Sequence, residues 1–133
     1  MSSDIAKTLR ETLLDLGVRP EQIGYFDRHS SIALNFKMIS PIMLTADHHG
    51  VWMWSELKNL NSATLNLHAE KLLLLLQHAL PSVVTGQPVL GKGLRGYEVK
   101  ALLDDACMGS AKTLQVALDG FFNLMTSLHS IVE

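Results

Sequence analysis

The chain has 133 residues, 47% of them hydrophobic and 18% charged, with a formal net charge of −2. That length suits one domain spanning 1–133, with a core that needs no staples. The charge balance leaves no basic footprint for nucleic acid, and the lean charged surface favours an oligomer, because buried interfaces carry fewer charges.

One cysteine, Cys107, excludes an internal disulfide framework and fits a reducing compartment. The opening Ser2-Ser3-Asp4 lacks a basic-then-apolar signal, and the longest apolar run, Leu72–Leu76, is far too short to cross a bilayer. These features predict a soluble cytoplasmic domain with no membrane insertion.

The first predicted helix starts at a serine cap, Ser2 or Ser3. It carries Ile5, Leu9, Leu13 and Leu16 down one face and stops at Gly17, which accepts the left-handed conformation. Beyond a turn around Pro20, residues 31–37, 41–46 and 50–57 read as strands joined by short polar or glycine-containing links, hence as antiparallel hairpins. Ile32, Leu34 and Phe36 alternate onto one face. In Val51-Trp52-Met53-Trp54 both faces are apolar. Either helices cover both sides of the sheet, or part of that surface is reserved for another chain.

The second predicted helix runs from Asn61 or Ser62 to Pro81. Leu65, Ala69, Leu72, Leu76 and Ala79 form its broad face, with Leu73 and Leu75 on the flanks. Leu67 and Leu74 lie nearly opposite, framed by Glu70, Lys71 and His78. A second apolar seam meets a second partner: the same helix of another copy, or more of its own domain.

Residues 84–90 and 97–103 read as a further hairpin around Gly91-Lys92-Gly93-Leu94-Arg95-Gly96. The last helix begins at Ser110 and repeats Leu114, Leu118, Phe121, Met125, Leu128 and Val132 at three- and four-residue steps. Gly120 within it implies close packing there. The order α-β-β-β-α-β-β-α belongs to the α+β class, an antiparallel sheet with three helices packed on it.

No catalytic set assembles. Asp47-His48-His49 could ligate a metal, but neighbours on a strand point opposite ways, so a solvated turn is the better reading and no metal is expected. His29 reads as a structural histidine. Gly91-Lys92-Gly93 lacks the phosphate-loop pattern, and Ser30 and Ser31 lack nucleophile-elbow glycines. Acidic neighbours would raise the Cys107 thiol's pKa. The chain is expected to need no cofactor and to catalyse nothing.

The segment Ile23-Gly24-Tyr25-Phe26-Asp27-Arg28-His29-Ser30-Ser31-Ile32 matches the signature I-G-x-x-D-x-H-S-x-I. With Val51-Trp52-Met53-Trp54 and Leu118-Asp119-Gly120-Phe121-Phe122-Asn123, it resembles the InvB/SpaK-type class IB type III secretion chaperones. The resemblance implies the same α-β-β-β-α-β-β-α fold and a homodimeric bacterial cytoplasmic chaperone. Such a chaperone holds the N-terminal regions of several effector proteins extended and secretion-competent, without nucleotide. It also brings in the secretion-machine ATPase and sorting apparatus as partners. The basic, glycine-rich 92–96 loop and the near-neutral charge depart from the usual pattern and leave the cargo unidentified.

A cargo segment could pair with a free strand edge and seat its side chains in pockets beside the first helix. Candidate cargo contacts are Ile5, Leu9, Leu13, Leu34, Phe36, Ile42, Leu44, Trp52 and Trp54, some of which must be core. The candidate dimer seam is Leu67, Lys71, Leu74 and His78. The alternatives are a dimeric adaptor that caps a folded partner, and a small enzyme using His29 or His48 with Asp27 or Asp47. The last lacks a nucleophile, a metal set or a cofactor loop.

Overall fold

A computed structural model describes residues 5–15, 17–22 and 31–133. Helix α1 spans Ile5–Asp15, strands β1 to β3 span Ser31–Leu34, Ile42–Asp47 and Gly50–Glu56, and helix α2 spans Ser62–Leu76. Strands β4 and β5 cover Val89–Lys92 and Tyr97–Leu102, and α3 covers Ala111–Val132. The order is the expected α-β-β-β-α-β-β-α. The expected serine cap at Ser2 or Ser3, Leu16, and residues 23–30 with His29 and most of the signature lie outside the described residues, as do the side chains of Ile5 and Leu9.

Local chemistry sets the helix ends. At the end of α1, Gly17 adopts φ 89°. The Gly17 N–H donates to Leu14 O and the Val18 N–H to Leu13 O, the paired closure that a left-handed glycine permits. Asn61 caps α2 reciprocally: its side chain accepts from the Ala63 and Thr64 amides while its own amide donates to Thr64 Oγ1. Ser110 caps α3 through the Lys112 amide.

The strands form one antiparallel sheet in the order β1-β2-β3-β5-β4. Register lines up buried side chains in rows. Ile32, Leu44, Met53 and Ala101 make one row; Leu34, Ile42, Ser55 and Val99 make the next. Phe121, Leu114, Met125 and Leu128 of α3 complete the core with Leu13 of α1 and Leu72 of α2. Each large apolar side chain buried here contributes about 1.5–3 kcal/mol. Ser55 interrupts the rows, and its hydroxyl donates to Pro41 O at 3.0 Å, so burial leaves it satisfied.

Several boundaries differ from the sequence expectation, and the strand expected over 31–37 ends already at Leu34. Helix α2 stops at Leu76, not at Pro81, because the chain turns to bury Leu80, whose amide donates to Gly86 O at 2.8 Å. The strand expected at 84–90 begins only at Val89. Ser82 and Gly86 take left-handed φ values of 63° and 76°, and Val83 keeps a single bridge to Leu103. Gly120 does pack beneath Leu80 and Pro81, yet a Cβ there would meet both at 3.6 Å, ordinary contact distance.

Candidate functional site

Among the described residues the helices cover one face of the sheet only. The alternation of β3 therefore resolves into two roles: Val51, Met53 and Ser55 are buried, whereas Trp52, Trp54 and Glu56 are half-buried on the other face. Register places Ala33, Met43, Trp54 and Lys100 in one open row, and Thr45, Trp52 and Leu102 in the next.

Both indoles lean the same way, towards the β2–β3 turn. Trp54 Nε1 donates to Thr45 Oγ1 at 3.0 Å and Trp52 Nε1 to Asp47 Oδ2 at 3.0 Å. Each partner lies diagonally across the strand pair, within reach of so long a side chain. The bonds satisfy the indole N–H groups and fix the ring orientations, leaving the rings as pre-positioned apolar surface.

Beside Trp54 lies a cleft of about 400 Å³ that Ala33, Met43, Glu56, Arg95 and Glu98 help to line. Glu56 and Glu98 face each other across β3 and β5. Each has a cation nearby: Arg95 reaches Glu56 at 3.7 Å and Lys100 reaches Glu98 at 3.5 Å. One end of the open face is thus apolar and the other charged but balanced.

A second cleft, about 320 Å³, opens on the helical side next to β1. Leu34, Ile42, Val18, Phe36, Leu118 and Phe122 line it. The Phe36 and Phe122 rings meet at 5.0 Å between centroids. Among the described residues, only β2 pairs with β1, so this apolar cleft borders a terminal strand of the sheet.

The sequence candidates separate accordingly. Leu13, Leu34, Ile42 and Leu44 are core, although Leu34 and Ile42 also contribute to the second cleft. Phe36 lines that cleft, while Trp52 and Trp54 stand on the open face. The nine candidates do not share one surface. Sequence reasoning missed Met43, Arg95, Leu118 and Phe122 as lining residues; only the alternation of Met43 with Ile42 and Leu44 could have singled one out.

The outer face of α2 is strongly apolar. Leu67, Leu73 and Leu74 are exposed by 74%, 60% and 59%. Lys71 and His78 are also exposed, so all four candidate seam residues are accessible on the isolated chain.

Among the described residues no catalytic constellation assembles, and the Asp27–His29 pair lies outside them. Cys107 is fully buried, and burial, then the negative Asp104, pushes its thiol pKa up; a hydrogen bond from the Ser82 side opposes them. Asp47, His48 and His49 sit together at an exposed turn.

The sequence model described as the Invasion protein B family matches residues 17–93. The chain belongs to the invasion protein B family. That match takes in the signature at 23–32 and the Val51–Trp54 stretch and stops short of α3. The chain is 28% identical to the surface presentation of antigens protein SpaK of Salmonella typhimurium over 122 residues, 92% of this chain and 90% of that protein. The Salmonella typhi SpaK protein gives the same identity and coverage. The InvB/SpaK-type resemblance read from the sequence is borne out. A solved HopA1–SchA chaperone–effector complex contains a chain of similar fold, with a TM-score of 0.62, 19% identity, and coverage of 98% of this invasion protein B family chain and 97% of that one.

Proposed function

We propose that this protein is a homodimeric type III secretion chaperone of the bacterial cytoplasm. It binds the N-terminal chaperone-binding regions of more than one effector and keeps them soluble and secretion-competent without ATP. The observation that carries this reading is the sheet face that no helix covers among the described residues, which presents Trp52 and Trp54 with their N–H groups already satisfied.

Ordering an extended segment costs about 1–2 kcal/mol per residue in backbone entropy. Binding without chemical energy therefore needs pre-positioned apolar anchors. Two fixed indoles, and the Phe36–Phe122 cleft beside the terminal strand, are such anchors. A cargo strand could align with β1 and place an apolar side chain in that cleft. Leu67, Lys71 and Leu74 on α2, with His78 just beyond its end, form the contact between the two copies, and delivery runs through the secretion-machine ATPase or its sorting apparatus. The whole chain, 1–133, acts as one unit and catalyses nothing.

The test is absolute mass by light scattering on a sizing column, alone and with the N-terminal segment of a co-encoded effector. Two chains alone, gaining one cargo segment on mixing, is the expected result. A monomer that ignores every such segment would overturn the reading and favour an adaptor for a folded partner.

A further inference from the structure

The β2–β3 connection brings three potential metal ligands to one spot. Asp47 pairs with Gly50, so His48 and His49 alone make the turn. The positive φ falls to Gly50, at 134°, and neither histidine has one. On a strand the two imidazoles would diverge, but here they lie together with centroids 3.8 Å apart and planes tilted by 41°. The Asp47 carboxylate joins them: His49 Nδ1 lies 3.6 Å from its Oδ1. One ligand atom from each of the three residues falls within 4.8 Å of the others.

The carboxylate is also held in place. Its Oδ1 accepts the His49 amide at 2.8 Å and its Oδ2 accepts the Trp52 indole at 3.0 Å. Each oxygen keeps a further lone pair for a cation. The Trp52 bond is the kind of outer contact that orients a ligating carboxylate.

We propose that Asp47, His48 and His49 form a binding site for a borderline divalent transition ion of the zinc, nickel or copper class. Two imidazoles and one carboxylate suit such ions, which hold N and O ligands at about 2.0–2.2 Å and therefore at about 3–3.6 Å from one another. Small side-chain rotations at an exposed turn close the remaining distance, and water completes the coordination. The ion would neutralise Asp47 at the end of the open face and tie the hairpin tip to Trp52.

The site can be tested on the full chain with nickel(II) and zinc(II) salts. Nickel titration is read by tryptophan fluorescence, since the Trp52 ring centroid lies 6.3 Å from that of His49, and zinc titration by calorimetry. The expected result is one saturable ion per chain, with binding weakened at least roughly tenfold in His48→Ala, His49→Ala and Asp47→Asn. His68→Ala, remote on α2, should bind as the parent does. Circular dichroism checks that each variant keeps its fold. No saturable binding, or equal binding after His48 and His49 are both replaced, would overturn the site.

Discussion

Trp54 and Thr45 are joined across the open face of the sheet: the indole N–H donates to the threonine hydroxyl at 3.0 Å. The bond satisfies the indole's only polar group and holds the ring against its neighbours instead of leaving it to sample rotamers. Trp54→Ala should therefore lower affinity for an effector N-terminal segment by about 30-fold, the ~2 kcal/mol of a binding hot spot. Thr45→Val, which frees the ring but keeps it, should cost less. Isothermal titration with the same segment separates the two, and an unchanged affinity in Trp54→Ala would remove this residue from the binding surface.

The exposed seam of α2 makes a sharper demand. Leu74 is 59% exposed on the isolated chain, so a charge there should change folding stability by no more than about 0.5 kcal/mol. Leu74→Glu should nevertheless convert a dimer to monomers if Leu67, Lys71, Leu74 and His78 face their counterparts. Light scattering decides it: a dimer of unchanged mass at the same concentration would place the contact elsewhere.

His129 makes stability depend on pH. It is buried near the end of α3, and its Nε2 has no hydrogen-bond partner. Burial chiefly, helped by Lys58 and opposed by Glu133, lowers its pKa below the ordinary 6.5. The unfolded chain thus binds a proton at a pH where the folded chain does not, so stability rises with pH across that interval. Its contribution is present above about pH 6.5 and is lost as pH falls from there through the folded-state value. Urea unfolding of the parent and of His129→Leu from pH 7.5 to 5.5 should show a steeper decline in the parent. Parallel curves would mean that the imidazole escapes its pocket.

Gly120 offers a stabilising substitution. It lies inside α3, where glycine is about 1 kcal/mol worse than alanine, and a Cβ would touch Leu80 and Pro81 only at 3.6 Å. Gly120→Ala should raise stability by roughly 0.5–1 kcal/mol, seen as a higher denaturant midpoint with an unchanged slope. A lower midpoint would show that the 80–81 segment needs to move closer to the helix than it stands.

Element order was legible because periodicity reports which side of an element is apolar: α3 repeats Leu114, Phe121, Met125 and Leu128, and all four are buried. Boundaries near Pro81 were harder. Pro81 as a stop signal, with Ala79 continuing the broad face, extended α2, while the tertiary demand to bury Leu80 ended it at Leu76. The start of β4 was missed because Val84 looks like a strand residue, whereas the left-handed Ser82 and Gly86 bend the chain around it. The surface was legible only in part. Leu34, Ile42 and Leu44 match the pattern of a cargo face as well as that of a core, and what separates them from Trp52 and Trp54 is which side α3 occupies. Helix packing decides that side, and no single strand encodes it. The two histidines were read as part of a solvated turn, and they do form the turn; what the sequence alone did not show is that its two-residue connection brings their rings to 3.8 Å between centroids.

Strand β3 divides its labour by parity. Val51, Met53 and Ser55 face inward, and Trp52, Trp54 and Glu56 face outward. Even-numbered positions can therefore vary in size, charge or hydrogen bonding with little effect on core volume, while odd-numbered positions preserve the scaffold. A lineage with this strand can acquire new outward chemistry one residue at a time, each trial insulated from collapse of the fold by the peptide unit between neighbours.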